Sequence, residues 1–303
     1  MKKIFTAIAL AALILSPAAI NAQSGKGKTI VISSKDNPDK TNTNLLTKTY
    51  KISDLRGVRA GSIFEVEVVK GGSGRITVSA PEKTLEHIIV SESSGVLVLR
   101  VENGYNFNSG SSRWLSKSKS LKGPVKVVAE LSALQTIDLS GAATLSTKDN
   151  FSEKLCRIDL SGASKTRLNK LSANEMFIDA SGASELVSTG SSNIIKIDGS
   201  GASKLFLTYN IEKLDADISG ATKLNIKGAA DQTVIDASGA SSFDGESFQA
   251  KTVKVDLSGA AKTDIGVKKA ISGEVSGASS LVYRGDPDKV ILEKSRGASV
   301  NHR

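Results

Sequence analysis

The chain has 303 residues, a formal charge of +9 and a single cysteine, Cys156. One cysteine excludes a disulfide framework, so the fold must be held by core burial, and a chain this long has ample material for a core. The lysines are spread along the chain, as at Lys165, Lys204, Lys223 and Lys262, and no recognition motif accompanies them. Nucleic acid is therefore not an expected partner, whereas weak attraction to acidic glycans or envelope lipids fits the charge.

Residues 1–22 read as a secretory signal peptide. Lys2 and Lys3 form the charged start, residues 4–15 the apolar run, and Ile20-Asn21-Ala22 a cleavage site before Gln23. A membrane anchor needs about 20 apolar residues, and this run is shorter and stops at Ser16-Pro17. Loss of Lys2 and Lys3 takes the charge from +9 to +7 (9 − 2). No later stretch is long and apolar enough to span a membrane. The expected location is outside the cytoplasm: periplasm, outer surface or extracellular.

Residues 23–47 form a polar leader with one strand-like island at 29–33. Residues 48–130 then read as a less regular β head. Phe64-Glu65-Val66-Glu67-Val68 alternates, Gly71-Gly72-Ser73-Gly74 turns, residues 75–79 alternate again and residues 96–101 give a further strand. Residues 103–123 are turn-rich yet carry Tyr105, Phe107 and Trp114, with Arg113, Lys117 and Lys119 beside them. Aromatic side chains with basic neighbours can stack on sugars or anchor a protein, so Tyr105, Phe107, Arg113 and Trp114 are the candidate contact residues. The alternative is that this loop folds back as a cap on the end of the repeat region.

From residue 131 to 303 one phrase returns nine times. Ile137-Asp138-Leu139-Ser140-Gly141-Ala142 is followed by copies at Ser161, Ser181, Ser200, Ser219, Ser238, Ser258 and Ser276, and by a degraded copy at Arg296-Gly297-Ala298. Spacings of about 19–20 residues carried by glycine and short apolar runs are the mark of a solenoid. Apolar residues stand five, three and one before each serine, as in Ile195, Ile197 and Gly199 or Leu214, Ala216 and Ile218, and again five and seven after it, as in Leu205 and Leu207. Period-2 columns of this kind make strands with one buried face. Nineteen residues at about 3.3 Å each give a perimeter of about 60 Å, which suits two or three short faces around a narrow core. The expected fold is an all-β parallel β-helix, and the crossover rule favours right-handed coiling.

At this point the residues support a resemblance. The head motif Gly57-Val58, Phe64-Glu65-Val66-Glu67-Val68, Gly71-Gly72 and Arg75-Ile76-Thr77-Val78, followed by repeated Leu-Ser-Gly-Ala phrases, resembles the GIN-domain family of secreted adhesins common in Bacteroidetes, described as autotransporter-adhesin heads. The likeness covers about residues 50–300. It implies a β-helical, exported, non-enzymatic envelope or surface protein, and supplies no catalytic residues.

An aspartate stands two residues before each serine: Asp138, Asp159, Asp179, Asp198, Asp217, Asp236 and Asp256, with Glu274 continuing the column. Stacked coils place such residues about 4.8 Å apart, where like charges repel by roughly 1 kcal/mol in water. Calcium between coils would offset this, but one carboxylate per coil gives too few ligands, so no metal or cofactor is expected. The favoured reading is a structural turn ladder, each aspartate accepting the N–H of the serine two residues on. His87 and His302 are the only histidines and lie outside the repeat, so no Ser-His-Asp triad is expected. The leading function is a non-catalytic adhesin-like or scaffold protein of the bacterial cell envelope that binds a glycan or protein at the cell surface. The alternative is a β-helical polysaccharide lyase or glycosidase acting on acidic glycans through paired carboxylates.

Overall fold

The structure, a computed structural model, describes residues 32–34, 45–107 and 119–303. The expected signal peptide and most of the polar leader lie outside the described residues, as do Arg113, Trp114 and Lys117. In chain order come β1 (Ile32–Ser34), within the leader, and then β2 (Leu45–Lys51), β3 (Gly57–Ala60), β4 (Phe64–Lys70) and β5 (Arg75–Pro81). The short helix α1 (Glu82–Leu85), β6 (Ile88–Ser93), β7 (Val96–Val101), β8 (Tyr105–Asn106), β9 (Lys119–Ser120), β10 (Val125–Leu131) and β11 (Thr136–Leu139) follow. The repeats supply β12 (Thr144–Leu160), β13 (Lys165–Ala180), β14 (Glu185–Gly199), β15 (Lys204–Ile218), β16 (Lys223–Ala237), β17 (Ser242–Leu257) and β18 (Lys262–Val275). The chain closes with β19 (Ser280–Arg284), β20 (Lys289–Lys294) and β21 (Ser299–His302).

Every consecutive pair from β11 to β19 is parallel, and the serine phrases stack in register: Asp159 on Asp179, Asp179 on Asp198, Asp198 on Asp217. The fold is the all-β parallel solenoid expected from the repeat, of about nine turns. The apolar columns do what their spacing requires. Along β15, Leu205, Leu207, Tyr209, Ile211, Leu214, Ala216 and Ile218 are buried, and the residues between them face outward. The strict alternation is broken by two outward residues in succession at Asn174-Glu175, Glu212-Lys213 and Asp231-Gln232. A strand cannot point two neighbours to one side without bending, so these doublets mark a corner. Burying one continuous apolar column at roughly 25 cal/mol per Å2 supplies the stability that no single coil has.

The head joins the same stack. β3 lies parallel between β7 and β11, and β4 lies parallel between β10 and β12. Val58-Arg59-Ala60 therefore occupy the places of Ile137-Asp138-Leu139 in the next coil. Antiparallel strands cover this end: β2 and β10 flank β5, and β6 pairs with β7. At the other end β20 and β21 stack on β18 and β19 and leave Val290 and Ile291 exposed.

Candidate functional site

The repeated corner has a different construction from the one its sequence suggests. The amide of each phrase serine donates to a carbonyl of the preceding coil: Ser161 to Leu139, Ser181 to Leu160, Ser200 to Ala180 and Ser219 to Gly199, at 2.8–2.9 Å. The expected Asx turn is corrected by this geometry, because the N–H that the aspartate would accept is already engaged in the inter-coil ladder. The aspartates instead stand on the outward face of the strand before the corner. Burial, and then the neighbouring carboxylates Asp236, Asp198 and Asp215, push the Asp217 carboxyl above its usual range. Asp159 is raised in the same way by burial, partly offset by Arg157. The ladder is closed at the head by Arg59, whose Nε donates to Asp138 Oδ2 at 2.5 Å. Among the described residues no group of three or more His, Cys, Asp or Glu is placed to hold a metal ion.

The expected contact residues divide. Tyr105, half-buried on β8, stacks on the His87 ring at 3.6 Å with the Lys119 ammonium 5.7 Å from its own ring centre. Phe107 packs against the core. Both are thus engaged by the protein itself, while Arg113 and Trp114 fall outside the described residues. The histidines have partners that are not serines: His87 Nδ1 meets Glu102 at 2.9 Å, and His302 stacks on Tyr283 at 4.7 Å. Cys156 is wholly buried, its Sγ 3.4 Å from the Leu134 carbonyl, and burial aided by Glu153 and Asp159 pushes its thiol up to about 12. It is a small core residue, as its inward column requires.

The feature that the repeat did not announce is a cleft of about 420 Å3 on the side of the solenoid, spanning β12 to β15 beside the doubled-outward corner. One wall is a column in strand register, Ser152, Ser172, Ser191 and Asn210. The other wall is Asn174, Asn193 and Glu212. Between them Ala173, Ser192 and Ile211 form the floor, each 6 % exposed. The Ser191 amide and hydroxyl both contact Ser172 Oγ at 3.3 Å, and Ser192 Oγ donates to the Ile194 carbonyl at 2.9 Å. At the head end Glu153 is tied down, accepting from the Leu134 amide at 2.9 Å and from the Gln135 side chain at 3.2 Å. Beneath the cleft, Tyr209 is buried with its hydroxyl donating to the Leu171 carbonyl at 2.9 Å and 2.7 Å from Ser188 Oγ. Expectation from the sequence placed no site in these uniform coils. The signal that could have marked one is the run of short polar residues at 188–193, which closes the coil where an apolar residue would otherwise stand.

The described residues thus form a parallel β-solenoid with outward polar columns and a lateral cleft over β12 to β15. The chain belongs to the family described as putative auto-transporter adhesin, head GIN domain, whose profile matches residues 54–207 and 193–287. Its fold is similar to that of a putative adhesin from Parabacteroides merdae ATCC 43184, with a TM-score of 0.62, 12 % identity, and coverage of 87 % of this chain and 97 % of that one. A putative adhesin from Parabacteroides distasonis ATCC 8503 is similar with a TM-score of 0.62 and 13 % identity, over 86 % and 98 %. A protein of the same organism described as a putative lipid binding protein is similar with a TM-score of 0.58 and 15 % identity, over 87 % and 98 %. At these identities the likeness is one of fold. No curated protein matches this chain. No helix among the described residues is long and apolar enough to cross a membrane.

Proposed function

We propose that the protein is an exported, non-catalytic adhesin-like protein of the bacterial cell envelope that binds a glycan or protein partner at the cell surface. The observation that carries this reading is the solenoid itself, a stiff stack whose outward columns repeat in register over β12 to β18. Membership of an adhesin family supports it. The placement of the histidines against Glu102 and Tyr283 supports a binding role over acyl transfer, since a serine nucleophile needs a base beside it. A leader read from residues 1–22 supports export.

The test is attachment and location together. A tagged full-length chain expressed in its host is followed by cell fractionation, and the purified mature protein is applied to cells and to glycan-coated surfaces. Recovery outside the cytoplasm with saturable attachment is the expected result. Cytoplasmic retention, or no attachment to any surface, would overturn the reading. Trp114→Ala in the same assay measures what that side chain contributes to contact.

A further inference from the structure

We infer that the cleft over β12–β15 binds an uncharged, hydroxyl-rich chain, a segment of neutral glycan lying along the solenoid axis; this rests on the adhesion reading above and names its ligand class. The lining separates the ligand classes. No lysine or arginine is among the residues lining the cleft, and its charged lining groups are Glu153 and Glu212. A sulfated, phosphorylated or uronic ligand would meet like charge with no compensating cation. The apolar lining is Ala173 and Ile211, both on the floor and 6 % exposed. An acyl chain would find no wall to pack on. The walls that remain are short side chains that both donate and accept, serine hydroxyls and asparagine amides, which is the complement of a sugar hydroxyl.

Two further observations favour a ligand. The side-chain amides of Asn174, Asn193 and Asn210 are committed to no protein partner among the described residues. They are also held in fixed rows by the parallel ladder from Ser191–Asn210 to Ile194–Lys213, so little ordering is needed on binding. Strand rows repeat at about 4.8 Å, and four of them span about 14 Å. An oligosaccharide segment, more than a single sugar, fits that length. Glu153 is occupied by Leu134 and Gln135, so Glu212 is the carboxylate left to accept from a sugar hydroxyl.

The experiment is titration calorimetry of the purified chain with maltotriose, cellotriose and chitotriose, beside an array carrying neutral, uronic and sulfated glycans and unrelated peptides. Binding of at least one neutral oligosaccharide is expected. Asn193→Ala should weaken it at least tenfold, and Ser191→Trp, which fills the cleft, should abolish it. If Ser191→Trp fails to fold, Asn193→Ala with an unchanged melting temperature decides. The inference is overturned if no neutral glycan binds, if only acidic glycans or peptides bind, or if both folded variants bind as the parent does. Attachment to cells that persists in folded Ser191→Trp without any neutral-glycan binding would remove the cleft and leave the adhesion reading standing. Loss of all attachment by the parent chain, with trisaccharide still bound in the cleft, would do the reverse.

Discussion

At the corner of each coil, a glycine at φ near +68° turns the chain, and the next coil's glycine sits directly on it. The Ala202 amide donates to the Gly182 carbonyl at 2.7 Å, and a Cβ added at Gly201 would lie 2.7 Å from that same oxygen. Left-handed backbone alone is costly for a residue with a side chain, by about 1–2 kcal/mol, and the clash with backbone adds to it. Gly201→Ala is therefore expected to lower stability by about 2 kcal/mol or more, read by denaturant unfolding. Ser62 shows why a side chain survives at one such place: it holds φ +57° at the head of the stack, with the Gly141–Ala142 turn laid on its far side. At Asp217 the aspartate beside the corner contributes a burial cost and, after it, repulsion from neighbouring carboxylates, and no turn bond. Asp217 has a folded carboxyl raised above its ordinary value of 3.8, so between those two values the folded state holds more protons than the unfolded one. Stability then falls as pH rises through that window, and the penalty lifts on acidification until it is gone below the ordinary value. Asp217→Asn should raise the stability at neutral pH, by under about 1 kcal/mol for an exposed column, and flatten this part of the pH profile. Glu130, held low chiefly by the Ser73 hydroxyl and then its amide, acts with the opposite sign at more acid pH. The difference between parent and variant isolates Asp217. Equal profiles would contradict the raised Asp217 carboxyl.

Among the elements, strands were the most legible part of the sequence, because period-2 columns are a direct image of burial. Ile158, Ile178, Ile197 and Ile235 all lie in the core where their spacing puts them. The turn chemistry was less legible. An aspartate two residues before a serine reads locally as an Asx turn, but the amide it would hold is captured by a carbonyl about 20 residues away, and a local pattern carries no record of that competitor. The inward column three residues after each phrase serine was missed for a related reason. Ser164, Ser184, Ser203, Thr222, Ser241 and Ser279 are all buried, and small polar residues after glycine look like exposed turn. Ser203 Oγ and Thr222 Oγ1 pair at 3.1 Å, whereas the hydroxyls of Ser164, Ser184 and Ser241 have no partner among the described residues. Ala143 and Ala261 already fill the same place. Removing a buried hydroxyl that makes no bond relieves its desolvation cost, so Ser184→Ala is expected to stabilise by up to about 1 kcal/mol. A loss of stability would mean that the hydroxyl is paired in solution.

For the molecule as a whole, the head and the repeats form one hydrogen-bonded stack, and the cleft is the place where that stack offers a ligand short polar groups in fixed rows. Beyond the polar run at 188–193, the cleft was not legible in sequence because it is made across four coils. Ser152, Ser172, Ser191 and Asn210 are about 20 residues apart and become a wall only when the register of β12–β15 is known. The claim that this protein holds a surface ligand without transforming it is open to one direct measurement. The mature chain is incubated with neutral polysaccharides and with uronic-acid polymers, and the same samples are followed for retained polymer, for new reducing ends and for the ultraviolet absorbance of unsaturated uronate. Saturable retention of neutral polymer with no new ends and no absorbance is the expected result. Sustained release of either product above a heat-denatured control would contradict it.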